Sequence, residues 1–198
     1  GIFLPEMPRS EFDDPFGEAS GAGLIFGATG GVLEAALRTV YELVTGRVVP
    51  FENLIIEPCR GFDGVKQASV KLDNCLDEYK FLEGIKLKFI VAHGTANAKT
   101  VMEMLRKGEL NDVHFVEIMA CPGGCLGGGG QPIPTSEEIR MKRAEAIYEE
   151  EKTLTVRKSH ENPHIKYVYE NFLVEGPCGE LSHKLLHTHY TKRGRFIS

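Results

Sequence analysis

The segment "VHFVEIMACPGGCLGGGGQP" (Val113–Pro132) runs an apolar, β-branched stretch straight into a turn carrying two cysteines and six glycines. A strand that ends in such a loop is how open α/β sheets build their sites, at the carboxyl ends of core strands. The rest of the chain has to supply layers around that strand, and its periodicities do so.

"GAGLIFGATGGVLEAALRTVYELVTG" has helical spacing, with Leu33, Leu37, Val40 and Val44 on one face, Glu34, Arg38 and Glu42 elsewhere, and Gly46 as the stop. Gly30 and Gly31 fall at the helix entrance, where backbone N–H groups are expected to point outward. "NLIIEP" is short and apolar, and "ASVKLD" alternates Ala68, Val70 and Leu72 with polar partners, as a strand with one wet face would. "GIKLKFIVAHG" begins with alternation and becomes continuously apolar, the pattern of a strand buried on both faces. Ala98, Val101, Met102 and Leu105 define a second helix closed by Gly108.

Past the cysteine loop the pattern is helical throughout. Thr135 with Glu138 reads as a capping box for "SEEIRMKRAEAIYEEE". Asn162 and Pro163 read as N-cap and first helical residue ahead of Ile165, Val168, Tyr169 and Phe172. "ELSHKLLHTHY" reads as a short closing helix. The expected fold is α/β: one domain over residues 1–198, a small, mainly parallel sheet flanked by helices, a helical C-terminal extension and an irregular lead-in over residues 1–20.

With 42% hydrophobic and 26% charged residues, the 198-residue chain is ordinary for a globular protein of one core. A net charge of −5 argues against nucleic acid, and no apolar run approaches the ~20 residues of a membrane span. The chain opens on Gly1, as a processed product or a fragment does. Five cysteines, odd in number and scattered apart from one close pair, do not make a disulfide framework. Free or metal-bound thiols in a reducing or anaerobic compartment, the cytoplasm, are expected.

Four chemistries compete for the cysteine loop. A phosphate loop needs Lys then Ser or Thr after its last glycine, and Gln131 and Pro132 follow instead. The upstream "GAGLIFGATGG" imitates a dinucleotide fingerprint but carries Phe26 where a glycine belongs. A redox dithiol is normally spaced C-x-x-C, whereas three residues separate Cys121 from Cys125. Zinc needs a second pair; Cys59, Cys75 and Cys178 form none, and His183, His187 and His189 read first as exposed or capping imidazoles. An iron–sulfur cluster fits better, because glycines let thiolates approach a bulky cubane and free N–H groups for its sulfurs. A cubane takes four thiolates and the loop offers two, so the remaining ligands lie elsewhere.

"FGATGGVLEAALR" (26–38), "EIMACPGGCLGGGGQP" (117–132), "RAEAIYEEE" (143–151), "RKSHENP" (157–163) and "SHKLLHTHY" (182–190) together resemble the C-terminal half of the catalytic domain of the iron-only ([FeFe]) hydrogenases, in order and across the chain. The family's first two cysteine motifs, of the kinds TSCxPGW and MPCxxKxxE, are absent. The resemblance implies one lobe of a two-lobed domain that interconverts two protons and two electrons with dihydrogen at an H-cluster, a [4Fe–4S] cubane joined to a diiron unit. By position it makes Cys121 a cubane ligand, Cys125 a cubane ligand that also bridges to the diiron unit, and Met119 a wall of the diiron pocket, with Phe26 and Gly27 on the other side. The implied partners are the N-terminal half of the same domain, ferredoxin or another electron carrier, and the H-cluster maturation proteins. The chain alone is expected to lack the cofactor and to be inactive. The alternative is an iron–sulfur assembly or scaffold module of the hydrogenase-like kind.

Three further groups have plainer readings. Glu117 could face the loop or serve as a structural hydrogen-bond acceptor. His93, at the end of its strand, is expected to pack or cap. Glu149–Glu151 read as a solvated helix face.

Overall fold

The computed structural model describes residues 2–8, 10, 11, 13, 17–49, 60, 61 and 63–194. They form two compact units, residues 19–161 and residues 1–18 with 162–198.

Among the described residues, the sheet of the first unit has three strands in the order β1 (Val65–Lys71), β2 (Lys86–His93) and β3 (Phe115–Met119). β1 pairs antiparallel with β2, and β2 pairs parallel with β3. The sheet expected to be mainly parallel is therefore mixed, because residues 72–85, with a 3-10 helix at Asp77–Leu82, return β1 to β2 antiparallel, whereas β2 reaches β3 through a crossover helix. "NLIIEP", Cys59 included, lies outside the described residues.

The centre of the unit follows from β2, whose last five residues are all buried. Phe89 and Val91 face one way and meet Leu33, Leu37 and Ala68. Ile90 and Ala92 face the other way and meet Val101 and Leu110. The strand thus separates two helices, α2 (Gly31–Thr45) and α3 (Thr95–Arg106), which is why its sequence turns continuously apolar. In α3 the buried stripe runs through Val101 with Met104 beside it, while Met102 and Leu105 are largely exposed.

α2 departs from its expected face. Leu33, Leu37 and Val44 are buried with Tyr41, but Val40 is exposed, and Glu34 and Arg38 are completely buried. The reason is a second neighbour on that side. α4 (Glu137–Thr153) packs Ile147 and Tyr148 against Ala22 and Ile25 of the short α1 segment (Gly21–Leu24 and the turn after it) and Ala35 of α2.

Arg38 donates to Glu34 at 2.6 Å and to Glu151 at 2.8 Å, Arg157 holds Glu151 at 2.7 Å, and Arg60 holds Glu34 at 2.8 Å while stacking 3.7 Å over Tyr148. The acidic run expected on a solvated face thus ends in a buried carboxylate. Burial pushes the Glu151 carboxyl up, but hydrogen bonds from Arg157 and Arg38 outweigh it and hold the group below its ordinary value.

Helix starts were mostly legible. Ser136, rather than Thr135, caps α4 by accepting from Ile139 N, which leaves Glu137 and Glu138 in the first turn where the helix dipole favours acids. In the second unit Asn162 caps α5 (Pro163–Asn171) through bonds from His164 N and Ile165 N, as its sequence predicts. Its amide also donates to Glu18 O at 3.0 Å. α6 (Glu180–Leu186) closes that unit.

Removing one partner of a buried ion network leaves the others charged and unsatisfied, at a cost of about 3–5 kcal/mol. Glu151→Ala is accordingly expected to lower the urea-unfolding free energy by about that amount, whereas Glu149→Ala should leave it within error. Glu83 accepts from Asn74 N and Cys75 N, which hold its carboxyl at about 2. Its contribution is present above its ordinary value of 4.5 and disappears as pH falls toward 2. Glu83→Gln should therefore destabilise the chain at pH 7 and converge with wild type by pH 2; a constant difference across that range would refute this assignment.

Candidate metal centre

The parallel pairing of β2 and β3 sets His93 opposite Met119, so both strands end at the same level. Gly94 N donates to Met119 O at 2.8 Å, and beyond that bond the chain leaves the sheet as the cysteine loop. Cys121 and Cys125 then line one cavity of about 340 Å³ together with Met119, Gly124, Gly128 and Gly129. Both thiols are free, Cys121 half-buried and Cys125 exposed.

The loop is held from three sides. From the sheet, His93 Nδ1 accepts from Gly123 N at 3.1 Å. From the turn before α2, Thr29 N donates to Gly123 O at 3.1 Å, and Ala28 bridges Gly124 as an isolated antiparallel pair. From α4, Arg143 donates to Leu126 O at 2.7 Å and to Pro132 O at 2.8 Å.

Two glycines make this packing possible. Gly124 has φ +88°, and a Cβ there would lie 2.7 Å from Met119 Sδ and 2.9 Å from Gly27 O and Thr29 N. A Cβ on Gly31 would lie 1.8 Å from Ile25 O, so the "FGATGG" turn closes only with glycine at that place.

Phe26 and Gly27 sit on this turn rather than among the residues lining the cavity. The turn itself is pinned to the strand that delivers the cysteines, because Glu117 accepts from Gly30 N at 2.5 Å and Leu33 N at 2.8 Å. The outward amides expected at the helix entrance are thus partly satisfied from within, which removes two donors a phosphate would use. Of β3's five residues Glu117 alone is fully buried, and an acid on the inward register of a strand was its only sequence signal. Arg143 had no signal beyond its place in a charged helix and at the head of the family-like stretch 143–151.

Elsewhere among the described residues, Glu42, His160 and Glu161 come within reach of a common ion, but Lys158 already donates to both Glu42 oxygens at 2.8 Å. Cys75 is packed with Tyr41, Val44 and Leu72, and burial together with Glu83 pushes its thiol up, which makes it a packing residue.

The cavity suits an iron–sulfur group. Its ligand atoms are two thiols, a Cβ on Gly128 would already stand 3.4 Å from Cys121 Sγ, and nothing lies within 4 Å of one on Gly129. Beside the loop, Thr29 Oγ1 is buried with no hydrogen-bond partner among the described residues.

Residues 1–129 match the family described as iron only hydrogenase large subunit, C-terminal domain, and residues 137–193 match the iron hydrogenase small subunit. The NADP-reducing hydrogenase subunit HndD of Solidesulfovibrio fructosivorans is 48% identical over 191 residues, covering 96% of this chain and 30% of that protein. Iron hydrogenase 1 of Clostridium pasteurianum is 37% identical over 199 residues, 96% of this chain and 32% of the relative. A solved [FeFe]-hydrogenase from Chlamydomonas reinhardtii superposes with TM-score 0.72 at 42% identity, covering 96% of this chain and 51% of that one. The chain belongs to the iron-only hydrogenase family. It spans about a third of the curated relatives it matches and about half of the solved structure.

Gly124→Ala is expected to cost at least ~1–3 kcal/mol for a side chain at positive φ, before its contacts with Met119 and the Gly27–Thr29 backbone are counted. Gly129→Ala should cost little, and equal unfolding midpoints for the two variants would contradict the packing described.

Proposed function

We propose that this chain is one lobe of an [FeFe]-hydrogenase catalytic domain, contributing half of the thiolates and part of the wall of an H-cluster site. Cys121 would hold the cubane. Cys125 would hold it and bridge to the diiron unit, Met119 would line the diiron pocket, and Phe26 and Gly27 would close the far side. When bound, the H-cluster supplies the interconversion of two protons and two electrons with dihydrogen. The chain's own residues fix its position. Glu117 and Thr29 lock the 26–31 turn to the cysteine loop, Arg143 clamps the loop's exit, and the apolar Met119 side chain limits water at that wall.

The observation that carries this reading is that Cys121, Cys125 and Met119 share one glycine-lined cavity at the end of the parallel strand pair. The match of residues 137–193 to the small subunit supports a hydrogenase over an assembly scaffold. Two further thiolates would come from the other lobe. Among the described residues no helix is long and apolar enough to cross a membrane.

In the full-length protein, Cys125→Ser is expected to abolish hydrogen evolution from reduced viologen and to lower the iron content. The 198-residue chain alone should carry no cubane and evolve none. Stoichiometric iron with activity in the isolated chain would contradict the reading, as would full activity of the serine variant.

A further inference from the structure

His93 is buried and lies on the sheet wall of the cysteine loop rather than in the cavity. Its backbone is fixed on both sides: His93 N donates to Gly64 O at 3.2 Å, and His93 O accepts from Asn97 Nδ2 at 2.8 Å. The buried ring is therefore carried on a fixed stretch of backbone, in the strand that forms the centre of the core. It receives the amide of Gly123, a residue between the two cysteines with φ +78°. The neighbouring carbonyl of the same glycine is taken by Thr29 N from the opposite wall. One residue midway between the two thiols is thus held at both its N–H and its C=O.

Resting on the hydrogenase reading, we propose that His93 is a positioning residue for the cubane. By accepting from Gly123 N through Nδ1, it fixes the peptide path that aims Cys121 and Cys125 into the cavity, and so tunes the cluster those thiolates hold. Nδ1 can accept only with its lone pair free, so the ring's proton sits on Nε2. Groups of this kind act on a metal site through its ligands, by setting sulfur geometry and the direction of nearby N–H dipoles. The role needs an acceptor at the Nδ1 position and nothing more. Asparagine can place Oδ1 there, glutamine extends its amide past it, and leucine keeps bulk without an acceptor.

The test uses the full-length protein with His93→Leu, His93→Asn and His93→Gln. Two quantities are read: hydrogen exchange of the loop amides, and the cubane's midpoint potential in an EPR-monitored titration. Losing the bond should speed exchange at Gly123 about tenfold and shift the potential in the Leu and Gln variants. The Asn variant should restore both. If His93→Leu does not fold, the contrast between Asn and Gln decides alone. A cluster whose potential and loop exchange ignore these substitutions overturns the role of His93 while leaving the hydrogenase reading standing. A wild-type protein with no cluster overturns that reading and this role with it.

Discussion

Two backbone amides at the start of α2, on Gly30 and Leu33, end on one carboxylate 87 and 84 residues further along the chain. That carboxylate, Glu117, stands two residues before Met119 on the strand that delivers the cysteine loop. Hydrogen bonds to a buried charged acceptor are worth roughly 1.5–3 kcal/mol each. The bond from Leu33 N also does what a capping side chain on Gly30 would do, which a glycine cannot. Because α2 covers one face of the sheet and β3 lies in it, the clamp fixes the turn at residues 26–31 against the loop at 121–125. The Ala28–Gly124 bridge and the Thr29–Gly123 bond follow from that placement. The candidate site is thus a consequence of how one helix start is satisfied.

A second constraint works from the far side of α2. Glu34 and Arg38 face α4 across the Glu151 network, and α4 in turn supplies Arg143 to the exit of the loop. The two family matches divide near this place, residues 1–129 and then 137–193. Buried ion pairs are poor sources of net stability, but losing one partner leaves an uncompensated buried charge, so the partners stay together. Here they hold α4, where the small-subunit match begins, against α2.

The layering was readable because β2 carries its own evidence: a run that starts alternating and turns continuously apolar must lie between two helices. The N-caps at Asn162 and near Thr135 were readable within a residue, since capping chemistry is local. The side chains that build the site were not. Glu34 and Arg38 look like surface residues in any window of sequence, and Glu117 is legible only as a candidate hydrogen-bond acceptor; contacts more than eighty residues away bury Glu117 and pair Arg38 with Glu151. Val40 misled for the same reason, as the helix face was set by α4 and not by the best apolar stripe. The cysteine pair was legible as chemistry from its glycines, yet the hands that hold it, His93, Thr29 and Arg143, come from three distant elements.

The hydrogenase reading proposed above requires that both thiols of one loop ligate the same iron group, with the turn at 26–31 beside it. Diffraction from crystals of the full-length protein, measured on either side of the iron absorption edge, tests it directly. The expected result is a compact iron cluster within bonding distance of both Cys121 Sγ and Cys125 Sγ, against the Met119 side chain. Iron bound elsewhere in the protein, with both sulfurs free of metal, would contradict it.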